Sequence, residues 1–297
     1  MTPAYVFLVL FSACLHALWN CFSKASRSPQ IFFFWTGIFT ATIAIVIFAV
    51  RHPTIPPSVQ FYVAASGLVH SVYWYSLSQA YSSGDVSYVY PIARSAPGFV
   101  PLFAYLFLHE AISARGLIGI VCVVFSIYLF QQGGSRLQLI ELTRRIRQRD
   151  AIWAFSTLCT VIAYSLIDKK GMSEFNTTGT TQLPVWHAVS YYLTQAAISA
   201  VFYGVFTFRS FEKREITDIA RREWRTIILA CWLILISYTI ILYTFITQKV
   251  SYVVAIRQSS VIFAVWLGAN VLKESNAKLR FAAAGVMVVG VFLISTA

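Results

Sequence analysis

Ten long apolar segments, separated by short loops that hold most of the charge, dominate this sequence. A helix needs about 20 apolar residues to cross the hydrocarbon core of a bilayer, and each segment is close to that length. Only 11% of the residues are charged and 58% are apolar, whereas about a quarter of the residues are charged in a soluble domain. The pattern therefore predicts an all-α membrane protein with ten transmembrane helices. The predicted spans are residues 3–22, 31–50, 59–81, 86–108, 114–131, 151–167, 184–208, 226–247, 252–272 and 279–296.

The basic residues are concentrated in the loops that follow odd-numbered segments. These loops hold sixteen of the 23 Lys and Arg residues, and the loops after even-numbered segments hold five. Cytoplasmic loops of membrane proteins carry an excess of Lys and Arg, so we expect both termini to be non-cytoplasmic. The net charge of +12 is explained in this way, and we expect no nucleic-acid partner. We predict a cytoplasmic amphipathic linker in residues 134–150, because one helical face carries Leu139, Leu142 and Ile146 and the other carries arginines.

The sequence contains an internal repeat. Shifting the chain by 164 positions aligns "SYVYPIARSAPGFV", which begins at Ser87, with "SYVVAIRQSSVIFA", which begins at Ser251, and it also aligns Glu110 with Glu274. A repeat of five helices crosses the membrane in opposite senses in its two copies, which is the architecture of many secondary transporters. We therefore predict two inverted five-helix repeats around a central cavity, the first in residues 1–133 and the second in residues 151–297.

Small residues recur on segments five and ten. Small side chains let helix backbones approach closely in a membrane. Gly116 and Gly119 on segment five, together with Gly285 and Gly290 on segment ten, predict that these two helices pack tightly against each other.

Segment four contains three prolines that its copy lacks. Proline removes a backbone donor and bends a helix. The prolines are Pro91, Pro97 and Pro101, and the matching positions of segment nine are Ala255, Val261 and Val265. The sequence therefore predicts a bent fourth helix and a stiffer ninth helix.

Several motifs resemble those of one transporter family. "ALWNCFSK" in segment one, "VSYVYPIARSAP" at the start of segment four, and the exits "LFLHEAIS" and "NVLKESNA" look like the EamA-type branch of the drug/metabolite transporter superfamily, as two EamA-like units. The resemblance implies a cavity lined mainly by helices 1, 3, 4, 6, 8 and 9, with helices 5 and 10 outside. It also implies transport of small metabolites across the inner membrane of a bacterial cell, without catalysis or a cofactor. The stretch "HALWNCFSKASRSP" further resembles bacterial members associated with phosphonate utilisation.

Two arginines lie inside the predicted spans. Arg94 is about eight residues into segment four, roughly 12 Å along the helix axis, and an arginine at depth costs at least about 2.5 to 3.5 kcal/mol. It is therefore expected to face a ligand in a polar cavity or to bind carbonyls freed by Pro91 or Pro97. Arg257 is shallower and can face the cavity or reach the interface. The planar guanidinium suits carboxylate, phosphonate or phosphate groups.

Carboxylates are expected only near the ends of the spans. Asp85, Glu110, Asp168 and Glu274 all lie near predicted ends. An exporter that exchanges protons for organic cations needs a buried carboxylate. Because none is evident, the pattern favours an anionic or zwitterionic substrate whose acid group is the counterion of the arginines.

Polar and aromatic residues on neighbouring segments complete the predicted substrate site. His16 and Asn20 share one helix face, because they are four residues apart, although a lone membrane histidine can also be a packed hydrogen-bond partner. Trp74 and Tyr238 occupy matching positions of the repeat. The predicted site residues are Arg94, Arg257, Tyr90, Ser95, Trp74, Tyr238, Gln258, Ser259, Trp19, Asn20, His16 and Gln79.

The sequence thus predicts a secondary transporter of a small acidic or zwitterionic metabolite, an amino acid or an organic or organophosphorus anion, that works by alternating access. An exporter of cationic or neutral drug-like compounds is one alternative. A membrane enzyme acting on lipid is another, but the sequence contains neither HExxH nor GxSxG. A channel or a scaffold is a third. The expected partners are a small-molecule substrate and membrane lipids, with no metal, and a monomer is favoured over a dimer because the repeat already supplies a two-fold arrangement.

Overall fold

A computed structural model describes residues 1–83, 92–131, 149–178, 183–263 and 277–297. In these ranges the chain forms helices and turns and no strand, so the predicted all-α fold class is confirmed. We label ten helices of the described residues in chain order: α1 Pro3–Ala25, α2 Pro29–Arg51, α3 Pro57–Ser83, α4 Ala96–Leu108, α5 Ala114–Gln131, α6 Arg149–Thr177, α7 Pro184–Ser210, α8 Lys213–Phe245, α9 Val250–Arg257 and α10 Ala277–Ser295. The predicted linker, residues 134–150, lies outside the described residues except for its last two, which begin α6.

Proline marks the start of several helices. Pro3, Pro29 and Pro184 occupy the first helical positions of α1, α2 and α7, where the missing N–H has no intrahelical partner to lose. The Ser28 side chain also accepts a hydrogen bond from Ile31 N at the start of α2. The sequence therefore specifies these boundaries locally.

α6 extends about ten residues beyond its predicted end at residue 167. The prediction is wrong because it treats Lys169 as a residue of the following loop. Instead, Lys169 Nζ donates hydrogen bonds to Phe245 O at 2.8 Å and to Gln248 O at 2.9 Å. These carbonyls come from a distant part of the chain, and they allow a charged residue to remain within the helix.

α8 begins thirteen residues before its predicted start at residue 226. A capping box starts it, in which the Glu212 side chain accepts from the backbone of Glu215 and the Glu215 side chain accepts from Glu212 N. This reciprocal arrangement satisfies two donors that would otherwise be free at the helix start. The charged stretch after residue 212 is thus continuous with the apolar part of α8.

Segments four and nine are both interrupted at aligned positions. Ser95 has a non-helical backbone and precedes α4, whereas α9 ends at Arg257 and residues 258–259 form a turn before helix resumes at 260–263. Ser259 aligns with Ser95. Pro97 accounts for the first break, but Val261 stands at the matching position of the second. Segment nine is thus interrupted although it lacks the prolines of segment four, and its greater stiffness stays a prediction.

α5 and α10 pack backbone to backbone, as predicted. A Cβ added at Gly119 would lie 2.8 Å from Gly290 O, and one added at Gly290 would lie 2.8 Å from Gly119 O. Only glycine permits this approach. A Cβ added at Gly285 would meet no atom within 4 Å, and one added at Gly116 would meet the Tyr252 ring of α9, so the predicted roles of Gly285 and Gly116 in this contact are wrong.

The outer faces of the helices are apolar. Phe7, Phe107 and Phe292 are 67%, 69% and 64% exposed, as expected of side chains that face lipid. Within the described ranges, five helices are long and apolar enough to cross a membrane, judged by length and composition. They are Pro3–Ala25, Pro29–Arg51, Ile152–Thr177, Pro184–Ser210 and Lys213–Phe245, and shorter apolar helices accompany them.

Candidate functional site

Two adjoining cavities lie between the helices of the described residues. The α2–α7 cavity is lined by side chains of α1, α2, α3, α6, α7, α8 and α9, and it has an empty volume of about 690 Å³, open solvent included. The Arg94 cavity has an empty volume of about 630 Å³ on the same measure. Both are lined by His16, Tyr73, Tyr164 and Arg257. These four residues therefore lie at the boundary between the two cavities. Helices α2 and α7 also line the α2–α7 cavity, in addition to the helices that the resemblance implies.

Arg257 is held by two neutral aromatic side chains. Its Nη2 lies 3.2 Å from His16 Nδ1, and its guanidinium carbon lies 5.3 Å from the centre of the Tyr238 ring, within cation–π range. Because a guanidinium only donates, Nδ1 is the acceptor. Asn20 Nδ2 donates to His16 O at 2.7 Å and so supports this turn of α1.

The Nε atom of Arg257 is buried without a hydrogen-bond partner. Among the described residues, no carboxylate oxygen lies within 4 Å of the Arg257 guanidinium. Arg257 as a whole is half-buried, and a partly desolvated cation without a counterion is costly. The arrangement can therefore receive an acid group from the cavity.

Arg94 joins the two interrupted segments. Its Nη1 donates to Ser260 Oγ at 2.9 Å and to Gln258 Oε1 at 3.5 Å. Gln258 is the residue that aligns with Arg94 in the repeat, and both line the Arg94 cavity. The predicted site residue Tyr90 lies outside the described residues.

Aromatic rings form much of the wall of the α2–α7 cavity. Trp19 and Trp74 lie 5.6 Å apart between ring centres, and Phe33 lies 4.7 Å from Trp74. In the same wall, the His70 ring stacks on the Tyr164 ring with 4.1 Å between their centres. Such rigid apolar walls are typical of a small-molecule site. The structure thus brings together the predicted residues Trp19, Trp74 and Tyr238 with Arg257.

Three other predicted site residues line neither of these cavities. Ser95 Oγ donates to Ile92 O at 2.7 Å, and Ser259 Oγ donates to Ile256 O at 2.8 Å. Both hydroxyls thus satisfy carbonyls at the helix breaks. Gln79 is half-buried on α3.

Asp168 is fully buried, although the sequence predicts that it lies near the end of a span. It lies well inside α6, where Tyr191 Oη donates to its Oδ1 at 3.1 Å and Tyr238 Oη donates to its Oδ2. In the described ranges, no Lys, Arg or His nitrogen lies within 4 Å of this carboxylate. The expectation of a bundle without an internal carboxylate is therefore wrong, because the helix extends past residue 167.

Two residues of the site, Gln195 and Ser199, are not among those predicted from the sequence. Gln195 and Ser199 on α7 line the α2–α7 cavity and are 2% and 3% exposed, and Gln195 Oε1 and Ser199 Oγ are buried without hydrogen-bond partners. Both are polar residues in the middle of an apolar segment, which is the signal that could have identified them. The described residues contain no group of three His, Cys, Asp or Glu side chains that could hold a metal ion.

Residues 110 and 111 contact α6 and the start of α9. Glu110 Oε2 accepts from Val250 N at 3.0 Å, and Glu110 Oε1 lies 3.7 Å from Lys169 Nζ. Lys249 Nζ donates to Ala111 O at 2.6 Å. Burial raises the pKa of Glu110, and the Lys169 charge opposes that shift.

Comparisons with known proteins agree with this architecture. Residues 3–131 match the model of the EamA-like transporter family, and no curated protein matches. Among the solved structures, 28 chains match. One of them, described only as "Crystal structure of protein", covers 100% of this chain and 98% of its own length, with a TM-score of 0.68 at 13% identity. At this identity the likeness shows the fold alone, and the apolar helices with the family match indicate a multi-pass membrane protein.

Proposed function

We propose that this protein is a secondary transporter of small acidic or zwitterionic metabolites, since residues 3–131 match the model of the EamA-like transporter family. The observation that carries the proposal is Arg257, which borders both cavities and has a buried, unpartnered Nε. A substrate carboxylate, phosphonate or phosphate supplies the counterion. Arg94, in the adjoining cavity, provides a second cationic group.

Hydrogen bonds to charged groups contribute about 1.5 to 3 kcal/mol each. One such bond from Arg257 to the substrate corresponds to about 10- to 100-fold in affinity. His16 and Tyr238 hold the guanidinium without neutralising it, so its charge stays available to the ligand.

We further propose alternating access by two inverted five-helix repeats whose ten helices cross a bacterial inner membrane, with both termini on the non-cytoplasmic side. The contacts of Glu110 with Val250 and Lys169 join the halves at one end, and in this scheme they open when the other end closes. Organophosphorus anions are included among the substrates because they carry the same kind of acid group.

The buried carboxylate of Asp168 favours a second candidate, an exporter of organic cations. However, its two oxygens already accept hydrogen bonds from Tyr191 and Tyr238, and Asp168 does not line either of the two described cavities. Arg257 therefore supports the acidic substrate more directly.

Uptake into proteoliposomes tests the proposal. The panel contains labelled amino acids, mono- and dicarboxylates, alkyl- and aminoalkylphosphonates, and a quaternary ammonium cation. We expect at least one acidic or zwitterionic compound to enter faster than into empty vesicles, and Arg257→Gln to reduce that uptake about tenfold or more. Arg222→Gln is the matched control, because it removes the same charge from an exposed residue that pairs with Asp218.

Two results would contradict the proposal. One is that no acidic or zwitterionic member of the panel is transported. The other is uptake of the quaternary ammonium cation that depends on Asp168 and is unaffected by Arg257→Gln, which would favour the cation exporter.

A further inference from the structure

We infer that Gln195 and Ser199 form a second subsite, which binds a hydrogen-bond-donating group of the substrate such as an ammonium or a hydroxyl. The preferred substrates are then zwitterions and hydroxy acids, and dianions are disfavoured. This inference rests on the proposed function, in which Arg257 binds the acid group in the same cavity.

The first support is the position and burial of the two side chains. Gln195 and Ser199 are four residues apart on α7, so they share one face of that helix, and both line the α2–α7 cavity. They are 2% and 3% exposed, and Gln195 Oε1 and Ser199 Oγ have no hydrogen-bond partner. Buried polar atoms in proteins are nearly always hydrogen-bonded, so a bound ligand is the natural partner of this pair.

The second support is that nearby hydroxyl groups of the cavity are already satisfied. Thr36 Oγ1 donates to Phe33 O at 2.9 Å, and Thr40 Oγ1 donates to Thr36 O at 2.8 Å. These two threonines line the same cavity from α2. Among the residues that line this cavity, the buried polar atoms without a partner are therefore Gln195 Oε1 and Ser199 Oγ on α7 and Arg257 Nε on α9.

The two subsites differ in hydrogen-bond character. Arg257 Nε only donates, whereas Gln195 Oε1 only accepts and Ser199 Oγ can do either. An acid group at Arg257 and an N–H or O–H group at α7 satisfy all three atoms. A second acid group would instead place its oxygens against Gln195 Oε1, acceptor against acceptor, and would bury a charge that the Ser199 hydroxyl alone does not compensate. The wall of aromatic faces in this cavity also favours a cation over an anion.

A homologous series of acids tests this preference. The probes are the ω-amino acids from glycine to 5-aminovalerate, the matching ω-hydroxy acids, the unsubstituted acids and the diacids, and binding to the purified full-length protein is measured by thermal shift and calorimetry. We expect the amino or hydroxy acid to bind about tenfold more tightly than the unsubstituted acid and the diacid at one chain length at least. Equal or tighter binding of the unsubstituted acid or diacid at every length overturns the inference, and so does an absence of binding by the whole series.

Variants of α7 separate this subsite from the acid site. Gln195→Leu and Ser199→Ala should each weaken binding of the preferred ligand several-fold and leave the unsubstituted acid unchanged, whereas Arg257→Gln should weaken both. Thr194→Val is the matched control, since the Thr194 hydroxyl is also buried without a partner but Thr194 does not line the α2–α7 cavity. Gln195→Glu is a second test variant, and it should bind the amino acid more tightly than the hydroxy acid, because the new carboxylate pairs with the ammonium group.

The outcomes distinguish the two proposals. If acids bind and Arg257→Gln abolishes that binding without any preference for amino or hydroxy acids, the subsite on α7 is wrong and the proposed function stands. If acid binding is indifferent to Arg257→Gln, the proposed function itself is wrong. Gel filtration and melting temperatures identify any variant that fails to fold, and in that case the remaining α7 variants decide.

Discussion

Replacing Gly119 with alanine should force α5 and α10 apart. The added Cβ would lie 2.8 Å from Gly290 O and 3.0 Å from Ile294 N. Both are backbone atoms, so no side-chain rotation relieves the contact. The helices must separate, and the contacts along their interface weaken.

The packing contribution to the loss of unfolding free energy is obtained by comparing Gly119→Ala with Gly285→Ala. Overpacking a tight contact costs about 1–3 kcal/mol. Alanine also improves helix propensity over glycine by about 1 kcal/mol, but this gain applies equally at Gly285 on α10, where an added Cβ would meet no atom within 4 Å. The difference in unfolding free energy between Gly119→Ala and Gly285→Ala therefore isolates the packing cost, and we expect about 1–3 kcal/mol.

Unfolding of the purified protein in mixed micelles, by titration with a denaturing detergent and followed by circular dichroism, measures this difference. Gly290→Ala should behave like Gly119→Ala, because its Cβ would lie 2.8 Å from Gly119 O. The reasoning is refuted if Gly119→Ala and Gly285→Ala unfold at the same detergent fraction, or if Gly285→Ala is the less stable of the two.

Two further predictions concern carboxylates, the buried Asp168 and the partly buried Glu110. Asp168→Leu should destabilise the protein by about 1–3 kcal/mol for each tyrosine hydroxyl left without an acceptor. Asp168→Asn should destabilise it less, because the amide oxygen still accepts a hydrogen bond from Tyr191 or Tyr238. Equal stability of the leucine variant and the wild type in the same detergent titration would contradict this prediction. Because the pKa of Glu110 is raised by burial, its protonated form is favoured in the folded state, and the stability it contributes is lost as the pH rises through its folded pKa. Melting temperatures between about pH 4 and pH 8 should therefore show the wild type losing stability relative to Glu110→Gln as the pH rises, and the opposite slope would mean that the pair with Lys169 outweighs burial.

Much of the fold could be predicted from the sequence, because it depends on features carried by single segments. Segment length and apolarity report the helical class and the membrane environment. Glycines at residues 119 and 290 report a close approach of two helices, since a small residue is required wherever backbones meet. The break before α4 follows from Pro97, but the matching break after Arg257 has no proline to mark it.

The sequence by itself therefore determined that this chain is a helical membrane protein with arginines inside its apolar segments, and it indicated the residues around Arg257. Only the tertiary structure decided that Asp168 is buried, because its donors Tyr191 and Tyr238 lie 23 and 70 positions away and the helix boundary depends on carbonyls near residue 245. It also decided that Gln195 and Ser199 face the cavity without partners. The hydropathy of a segment reports its average environment, whereas the burial and hydrogen bonding of one polar group depend on which distant helices pack against it.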